Sequence, residues 1–257
     1  MTIPVLKNVR LFTGGVDLTG RSNKISLEPE YEEKDITTFG SVDTSTGDLW
    51  KELMAGLGSG KLTASGFNEA GDSSKVDDSR WAALGGLDAW TVGPTDGNVG
   101  SIAYLVGALQ GNYQFGGSPG DVAPWSASMA TSLPVARGGI LHPPGTARTA
   151  TGTGTIVDLS TVGMSSIPSG KGLYASLHVL SVSGTSTPSL TVAVQTAASV
   201  GFGSPTTQIT FPAYTAIGGE RRVLAGPITD GYARVSYTIS GTTPSFLFVC
   251  AVGIANA

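Results

Sequence analysis

Two segments in the second half of the chain share a pattern that constrains the fold more than any other feature. They are LHVLSVSGTSTPSLTVAVQ (177–195) and VSYTISGTTPSFLFVCAV (235–252), and each flanks an SGT-(S)T-PS core with alternating apolar and polar residues. Alternation is typical of β-strands, and glycine and proline are typical of turns. Each segment therefore predicts a β-hairpin, and the two hairpins together predict an all-β sandwich.

The charge distribution divides the chain near residue 150. Residues 1–150 hold 16 acidic and 11 basic residues, whereas residues 151–257 hold 3 acidic and 4 basic ones. Between the two parts lies HPPGTARTATGTGT (142–155), which is rich in proline, glycine and threonine and has no apolar periodicity. We predict an N-terminal domain (1–145), a linker (146–155) and a C-terminal β-sandwich (156–257).

The first part predicts a mainly β domain with a flanking α-helix. VLKNVRLFTGG (5–15) and NKISLEPEYEE (23–33) alternate as strands do. The predicted helix lies in STGDLWKELMAGLGSGK (45–61), where Leu49, Leu53 and Leu57 recur at a spacing of four and glycines end the pattern. A second, short helix is predicted within DSRWAALGGLDAW (78–90).

The sequence contains partial matches to motifs for catalysis and cofactor binding, but each match lacks a residue or a structural context that the motif requires. GSGK (58–61) has the wrong flanking residues for a phosphate loop and would follow a helix instead of preceding one. GGSPG (116–120) matches a serine-hydrolase motif, with Asp158 and His178 following, but Pro119 has no N–H to offer an oxyanion hole. His142 and His178 are the only histidines, so we predict no catalytic, cofactor-binding or metal-binding residues and no enzyme activity.

Membrane and disulfide signals are also missing. The longest apolar run is FLFVCAVGIA (246–255), which is shorter than the roughly 18 residues of a membrane span and predicts a buried strand. That run contains the single cysteine, Cys250, which predicts an inert core thiol and synthesis in a reducing cytoplasm.

An acidic cluster is the main surface feature of the sequence. In SLEPEYEEKDITTFG (26–40), five carboxylates fall within eight positions, although charged residues are only 13% of the chain. Alternation would place Glu28, Glu30 and Glu32 on one side of a strand and Leu27 and Tyr31 on the other. A solvated face and a functional acidic face are both compatible with this pattern.

The first 145 residues resemble the tail tube proteins of long-tailed bacteriophages. The resemblance is carried by GVDLTGRSNKISLEPEYEEKDITTFG and DLWKELMAGLGSGKLTASGF, and later by YLVGALQGNYQFGGSPGDVAPWSASM. The matching residues are Ser22, Ile25, Leu27, Glu28, Glu30, Asp35, Thr37, Phe39, Gly40, Trp50, Ala55, Gly56 and Leu57. The second part resembles the β-sandwich modules that are found in many phage virion proteins.

This resemblance implies a structural virion protein with a tail-tube-like β-sandwich or barrel. Such a protein would be made in the host bacterial cytoplasm and would form rings, usually hexamers, that stack into a tube. It would meet tape measure, terminator and baseplate proteins, and DNA would pass through without tight binding. The resemblance implies no cofactor and no membrane partner.

Specific roles follow from the same resemblance. Glu28, Glu30 and Glu32 would face the tube lumen and repel DNA. Two segments, the loop between Glu33 and Asp48 and NEAGDSSKVDDSR (68–80), would form inter-ring or inter-subunit contacts. Both would become ordered when the subunits assemble. Their expected contact residues are Asp35, Thr37, Phe39, Asp43, Asp72, Lys75, Asp77 and Asp78.

Two other functions stay open from the sequence. One is another virion part, such as a head decoration or baseplate protein. The other is a glycan-binding module that acts in host adhesion through Tyr174, Tyr214 or Phe202.

Overall fold

The computed structural model describes residues 6–42 and 45–257. Within those residues the fold is mainly β with one α-helix, as the sequence predicts. The strands are β1 (Arg10–Thr13), β2 (Val16–Asp17), β3 (Ser22–Asp35), β4 (Leu53–Phe67), β5 (Leu87–Gly93), β6 (Ile102–Phe115), β7 (Pro124–Thr131), β8 (Ala136–His142), β9 (Gly152–Thr153), β10 (Val157–Asp158), β11 (Lys171–Ala197), β12 (Thr206–Thr210), β13 (Gly218–Ala225) and β14 (Tyr232–Asn256). The α-helix is α1 (Val76–Ala82), and short 3-10 helices span Thr19–Arg21 and Leu159–Val162.

All strand pairs are antiparallel and belong to one connected sheet. Its main path runs β12-β11-β14-β8-β6-β5-β1-β2, with β13 added to β11 and the series β7-β4-β3 added to β6. The second half of β6 pairs with β7, whereas its first half pairs with β5 and β8. This branching lets one sheet surround the N-terminal core.

The N-terminal core is built around two tryptophans. Trp90 on β5 and Trp125 on β7 are fully buried, and Leu62, Val106 and Met129 pack in the same cluster. Val76 of α1 closes this cluster from outside the sheet. The other two tryptophans are exposed at 68% (Trp50) and 62% (Trp81), so the four tryptophans divide between core and surface.

The C-terminal part is built on two very long strands. β11 pairs with β14 along most of its length, with register shifts between Val179 and Ser181, between Ser183 and Thr185, and between Thr185 and Ser189. Residues on both sides of these shifts, among them Leu173, Val194 and Phe248, bury their side chains in one core. The strands therefore bend at the register shifts and form a sandwich from a single folded ribbon.

The two SGT-(S)T-PS segments form this bend, so the predicted separate hairpins are wrong. The two segments lie opposite each other, with Ser183 facing Ser245 and Thr185 facing Thr242. Ser186, Thr187 and Thr243 adopt positive φ values of 56°, 52° and 47° there. These turn residues bend each strand at a corner, and the chain does not reverse its direction there.

The two parts of the chain share sheet and core. β8 pairs with β14 from Cys250 to Ile254, and Tyr174 and Ala251 pack with Leu105 and Ile140. The predicted linker also pairs with β14, through a bridge from Arg148 to Phe246 and through β9. The division into two domains stays a prediction.

The predicted helix at 45–61 is wrong, because its second half is strand β4. A spacing of four fits both a helical face and one face of a strand, so Leu53 and Leu57 could not distinguish the two. Gly56, Gly58 and Gly60 disfavour a helix interior and allow close packing in the strand. The short helix predicted within 78–90 is confirmed only in its first part, since α1 spans Val76–Ala82 and residues from Leu87 onward belong to β5.

Candidate functional site

β3 and β4 extend past the rest of the sheet as a two-stranded arm, which we define as residues 28–60. β4 pairs with β7 only over Lys61–Phe67, so within the described residues the arm strands pair only with each other. Eight strand residues at roughly 3.3 Å each give a length of about 26 Å. An isolated two-stranded ribbon is marginally stable in water, so an arm of this kind gains most when a partner covers it.

Glycines on β4 fit the arm strands together. The ring of Tyr31 lies over Gly58, where a side-chain Cβ would fall 3.0 Å from it. Gly60 sits against Thr131 of β7, where a Cβ would lie 2.9 Å from the hydroxyl oxygen. These contacts explain why glycine alternates with other residues in GLGSG (56–60).

The far end of the arm, residues 36–52, forms an ordered tip over its described residues. The carboxylate of Asp35 accepts a hydrogen bond from the backbone N–H of Thr37 at 3.0 Å and lies 3.7 Å from Lys51 Nζ. The hydrogen bonds from Thr37, together with Lys51, lower the pKa of Asp35. Thr37 Oγ1 in turn accepts from the N–H of Glu52 at 2.9 Å. The two sides of the tip are therefore tied together at their base.

The tip and the outer arm expose an unusual amount of apolar surface. Phe39 is fully exposed and Leu57 is 79% exposed. The other large apolar side chains exposed on this segment are Tyr31, Ile36, Val42, Leu49, Trp50, Leu53 and Met54. A concentration of large exposed apolar side chains on one segment is typical of an interaction site. This surface differs from the sequence-based prediction, which places Leu49, Trp50, Leu53 and Leu57 on a helix.

Three of the five acidic residues of β3, Glu28, Glu30 and Glu32, lie on one face of the arm. Ser26 Oγ donates to Glu28 at 2.7 Å, and Ser59 Oγ of β4 donates to Glu30 at 3.0 Å. Glu32 forms an ion pair with Lys34. Lys61 stands directly opposite Glu28 in the register. The face is acidic, with basic residues at both ends.

The predicted contact residues fall in two places. Asp35, Thr37 and Phe39 lie at the arm tip, whereas Asp43 lies outside the described residues. The second group belongs to 68–80, a segment whose side chains bond within the segment and to Tyr113 of β6. Lys75 pairs with Glu69, Tyr113 donates to Asp77, Asp78 accepts from the N–H of Gly71, and Asp72 accepts from Ser74. A role for either group in subunit contacts stays a prediction.

Both histidines are buried and have structural partners. Nδ1 of His178 donates to the carbonyl of Gly14 at 2.9 Å, and Thr91 Oγ1 donates to Nε2 at 2.8 Å. Nδ1 of His142 donates to the carbonyl of Phe248, and Arg148 Nε donates to its Nε2, both at 3.0 Å. Burial lowers the pKa of each histidine to about 4, so both are neutral at pH 7.

Asp158, Tyr174 and Phe202 are also accounted for by local bonding and packing. Asp158 accepts from Ser160 and caps a 3-10 helix, so its carboxylate is not bonded to His178. Tyr174 and Phe202 are buried, with the guanidinium groups of Arg221 and Arg234 lying 4.3 and 4.4 Å from their ring centres. These two aromatic faces are therefore covered and cannot stack on a sugar.

The described residues contain neither a cluster of metal-binding side chains nor a membrane-spanning helix. They contain no group of three or more His, Cys, Asp or Glu side chains placed to hold a metal ion. No helix within 6–42 or 45–257 has the length and apolar character needed to cross a membrane.

Comparisons with known proteins give fold likenesses only. No protein-family model matches the chain, and no curated protein matches it. A chain from the tail of an empty gene transfer agent particle is 20% identical, with a TM-score of 0.36, over 49% of this chain and 92% of that one. A chain from the sheath–tube complex of an extracellular contractile injection system is 16% identical, with a TM-score of 0.39, over 54% and 92%. The SPP1 Dit protein, described as a hub of the adsorption apparatus, is 10% identical, with a TM-score of 0.33, over 97% and 100%.

Proposed function

We propose that this protein is a structural component of a phage tail, and specifically that it forms stacked rings that build the tail tube through which DNA leaves the particle. The observation that carries this proposal is the arm. The arm is a two-stranded ribbon about 26 Å long with apolar side chains exposed at its tip. In an isolated molecule such a ribbon is unfavourable, because ordering its backbone costs conformational entropy and no apolar surface is buried in return. The same ribbon is well suited to contact a neighbouring subunit.

The acidic face of the arm supports the same function. A conduit must let DNA move, and each cationic contact with a phosphate would slow that movement. Glu28, Glu30 and Glu32 line one face of β3, and residues 1–150 carry an excess of acidic over basic residues. We place this face toward the lumen, and we expect a six-membered ring with tape measure, terminator and baseplate proteins as partners in the virion.

Electron microscopy of the concentrated purified protein tests the proposal. We expect negative-stain images to show stacked rings with a central channel. Closed rings or trimers that never stack would favour a head decoration or baseplate component. A monodisperse monomer that does not assemble at high concentration, or with other tail proteins present, would refute the proposal.

A further inference from the structure

We propose that the arm tip of one copy binds in an apolar groove at the base of the arm of the next copy. This inference rests on the proposed function, and it identifies the receiving surface and the partner of the tip. The groove has a volume of about 760 Å³. Its apolar lining includes Ile25, Leu27, Tyr31, Tyr104, Leu133 and Val135.

The groove forms because the apolar face of β3 stands away from the body of the protein. Ile25 and Leu27 are only half-buried, although they belong to the edge of the N-terminal core. Across the gap, Leu133 is 44% exposed in the connection between β7 and β8. An apolar cleft of this size is the usual form of a binding site, since it removes a large apolar area of a ligand from water.

The tip presents side chains that suit this cleft. Phe39, Trp50 and Leu49 are exposed at 101%, 68% and 64%. Aromatic side chains bury about 150–250 Å² each and dominate interface energies. The tip thus exposes aromatic side chains that an apolar groove can bury.

The groove and the tip each carry charges of both signs that can pair across the contact. Arg137 and Glu30 line the groove, and neither forms an ion pair within the described residues. The tip carries Asp48 and Glu52, whose carboxylates are likewise without an ion pair in the part of the chain described. A tip carboxylate beside Arg137 would orient the tip in the groove.

The occupant is a second copy, because the tip lies outside the groove of its own copy. No described residue of the tip lines that groove, and Tyr31, the groove residue of β3 that is nearest the tip, is four residues before Asp35, or about 13 Å away along the strand. A contact between one surface and a different surface of the next copy is heterologous and continues from subunit to subunit. Rings or stacks are the products of such a contact.

Paired cysteine variants test this contact. The native Cys250 is buried, and burial raises the pKa of its thiol to about 12, so it does not interfere. Lys51→Cys places a thiol on the tip while keeping Phe39 and Trp50, and Ser132→Cys places one beside Leu133 in the groove. The matched control pairs Lys51→Cys with Ser118→Cys, a serine in an exposed turn outside the groove lining.

We expect mild oxidation of the Lys51→Cys/Ser132→Cys protein to give a ladder of dimers, trimers and higher oligomers. Single variants should stop at dimers, and the control pair should give no ladder. Equal ladders from both pairs, or rings in electron micrographs without a ladder from the groove pair, would overturn the docking proposal while the proposed function stands. Absence of both assembly and ladder would overturn both.

Discussion

Gly184 lies against Pro244, and Gly241 lies against Pro188, at the corner where β11 and β14 bend. A Cβ on Gly184 would fall 3.0 Å from Pro244 Cα, and one on Gly241 would fall 2.8 Å from Pro188 Cα. Both glycines have positive φ values, 133° and 113°. At this corner, the glycine of each repeated segment thus packs against the proline of the other segment.

Replacing either glycine should destabilise the protein. We expect Gly184→Ala and Gly241→Ala each to lower the free energy of unfolding by about 1–3 kcal/mol, because both the φ value and the proline contact oppose a Cβ. Urea denaturation at equilibrium measures this. Gly201→Ala is the control, since Gly201 has open space around its Cβ position and no positive φ. Equal losses in all three variants would contradict the role of the corner.

Acid should destabilise the fold through the two buried histidines. Their pKa values are about 4 in the folded protein, below the ordinary value of 6.5, so the unfolded chain binds more protons between these values. Stability is therefore full above pH 6.5 and is lost as the pH falls toward 4, by up to about 3 kcal/mol per histidine. The exposed carboxylates whose pKa is lowered, such as Asp35 and Asp158, lose their contribution only at pH values near and below 4.

Denaturation curves at pH 7 and pH 4.5 measure this loss. His142→Gln with His178→Gln should be less stable at pH 7 but should show a much smaller change between the two pH values. An unchanged pH dependence in the double variant would show that other groups are responsible.

Polar substitutions at the arm tip should separate assembly from folding. We expect Phe39→Ser with Trp50→Ser to change the free energy of unfolding by no more than about 0.5 kcal/mol, because both side chains are already in water. Assembly seen by electron microscopy or sedimentation should be lost. Trp125→Ala is the contrasting variant, with a folding cost of about 3–5 kcal/mol, since Trp125 is fully buried and its indole donates to the carbonyl of Arg21. Normal assembly of the tip variant would refute a contact role for the tip.

Reversing the acidic face should make the assembled protein retain DNA. We expect Glu28→Lys, Glu30→Lys and Glu32→Lys together to permit assembly and to produce salt-sensitive binding of double-stranded DNA, because lysines neutralise phosphates and release counterions. In particles, genome ejection should slow or stop. The control replaces the same residues with Gln, which removes charge without adding cations. Normal ejection from the lysine variant would show that the acidic cluster is only a solvated surface.

The alternation of apolar and polar residues correctly predicts β-strands in this sequence. The glycine and proline turn residues, in contrast, predict chain reversals that the structure does not have. The mainly β fold follows from runs such as NKISLEPEYEE, where the period of two is clear. The wrong helix arose because Leu49, Leu53 and Leu57 repeat every four residues, a spacing that both structures share. The wrong hairpins arose because glycine and proline mark a bend inside a strand as well as a reversal between strands.

The arm could be predicted only in part. The sequence predicts the alternation of acidic residues along β3. It does not predict that the apolar side chains of the tip are exposed, because exposure depends on which strands lack neighbours in the sheet. That property belongs to the sheet topology, and local sequence does not encode it. The groove likewise combines β3, β6 and the connection between β7 and β8, which are distant in the chain.

The pairing of β8 with β14 sets an order of events during synthesis. Ala136–His142 leaves the ribosome more than a hundred residues before Cys250–Ile254, the segment that completes its sheet edge. Closing so long a loop is slow, as in other folds of high contact order. Until then the β8 edge is open to pairing with other chains. A nascent chain thus carries its arm before its sheet is finished, and timely folding depends on keeping neighbouring nascent chains apart.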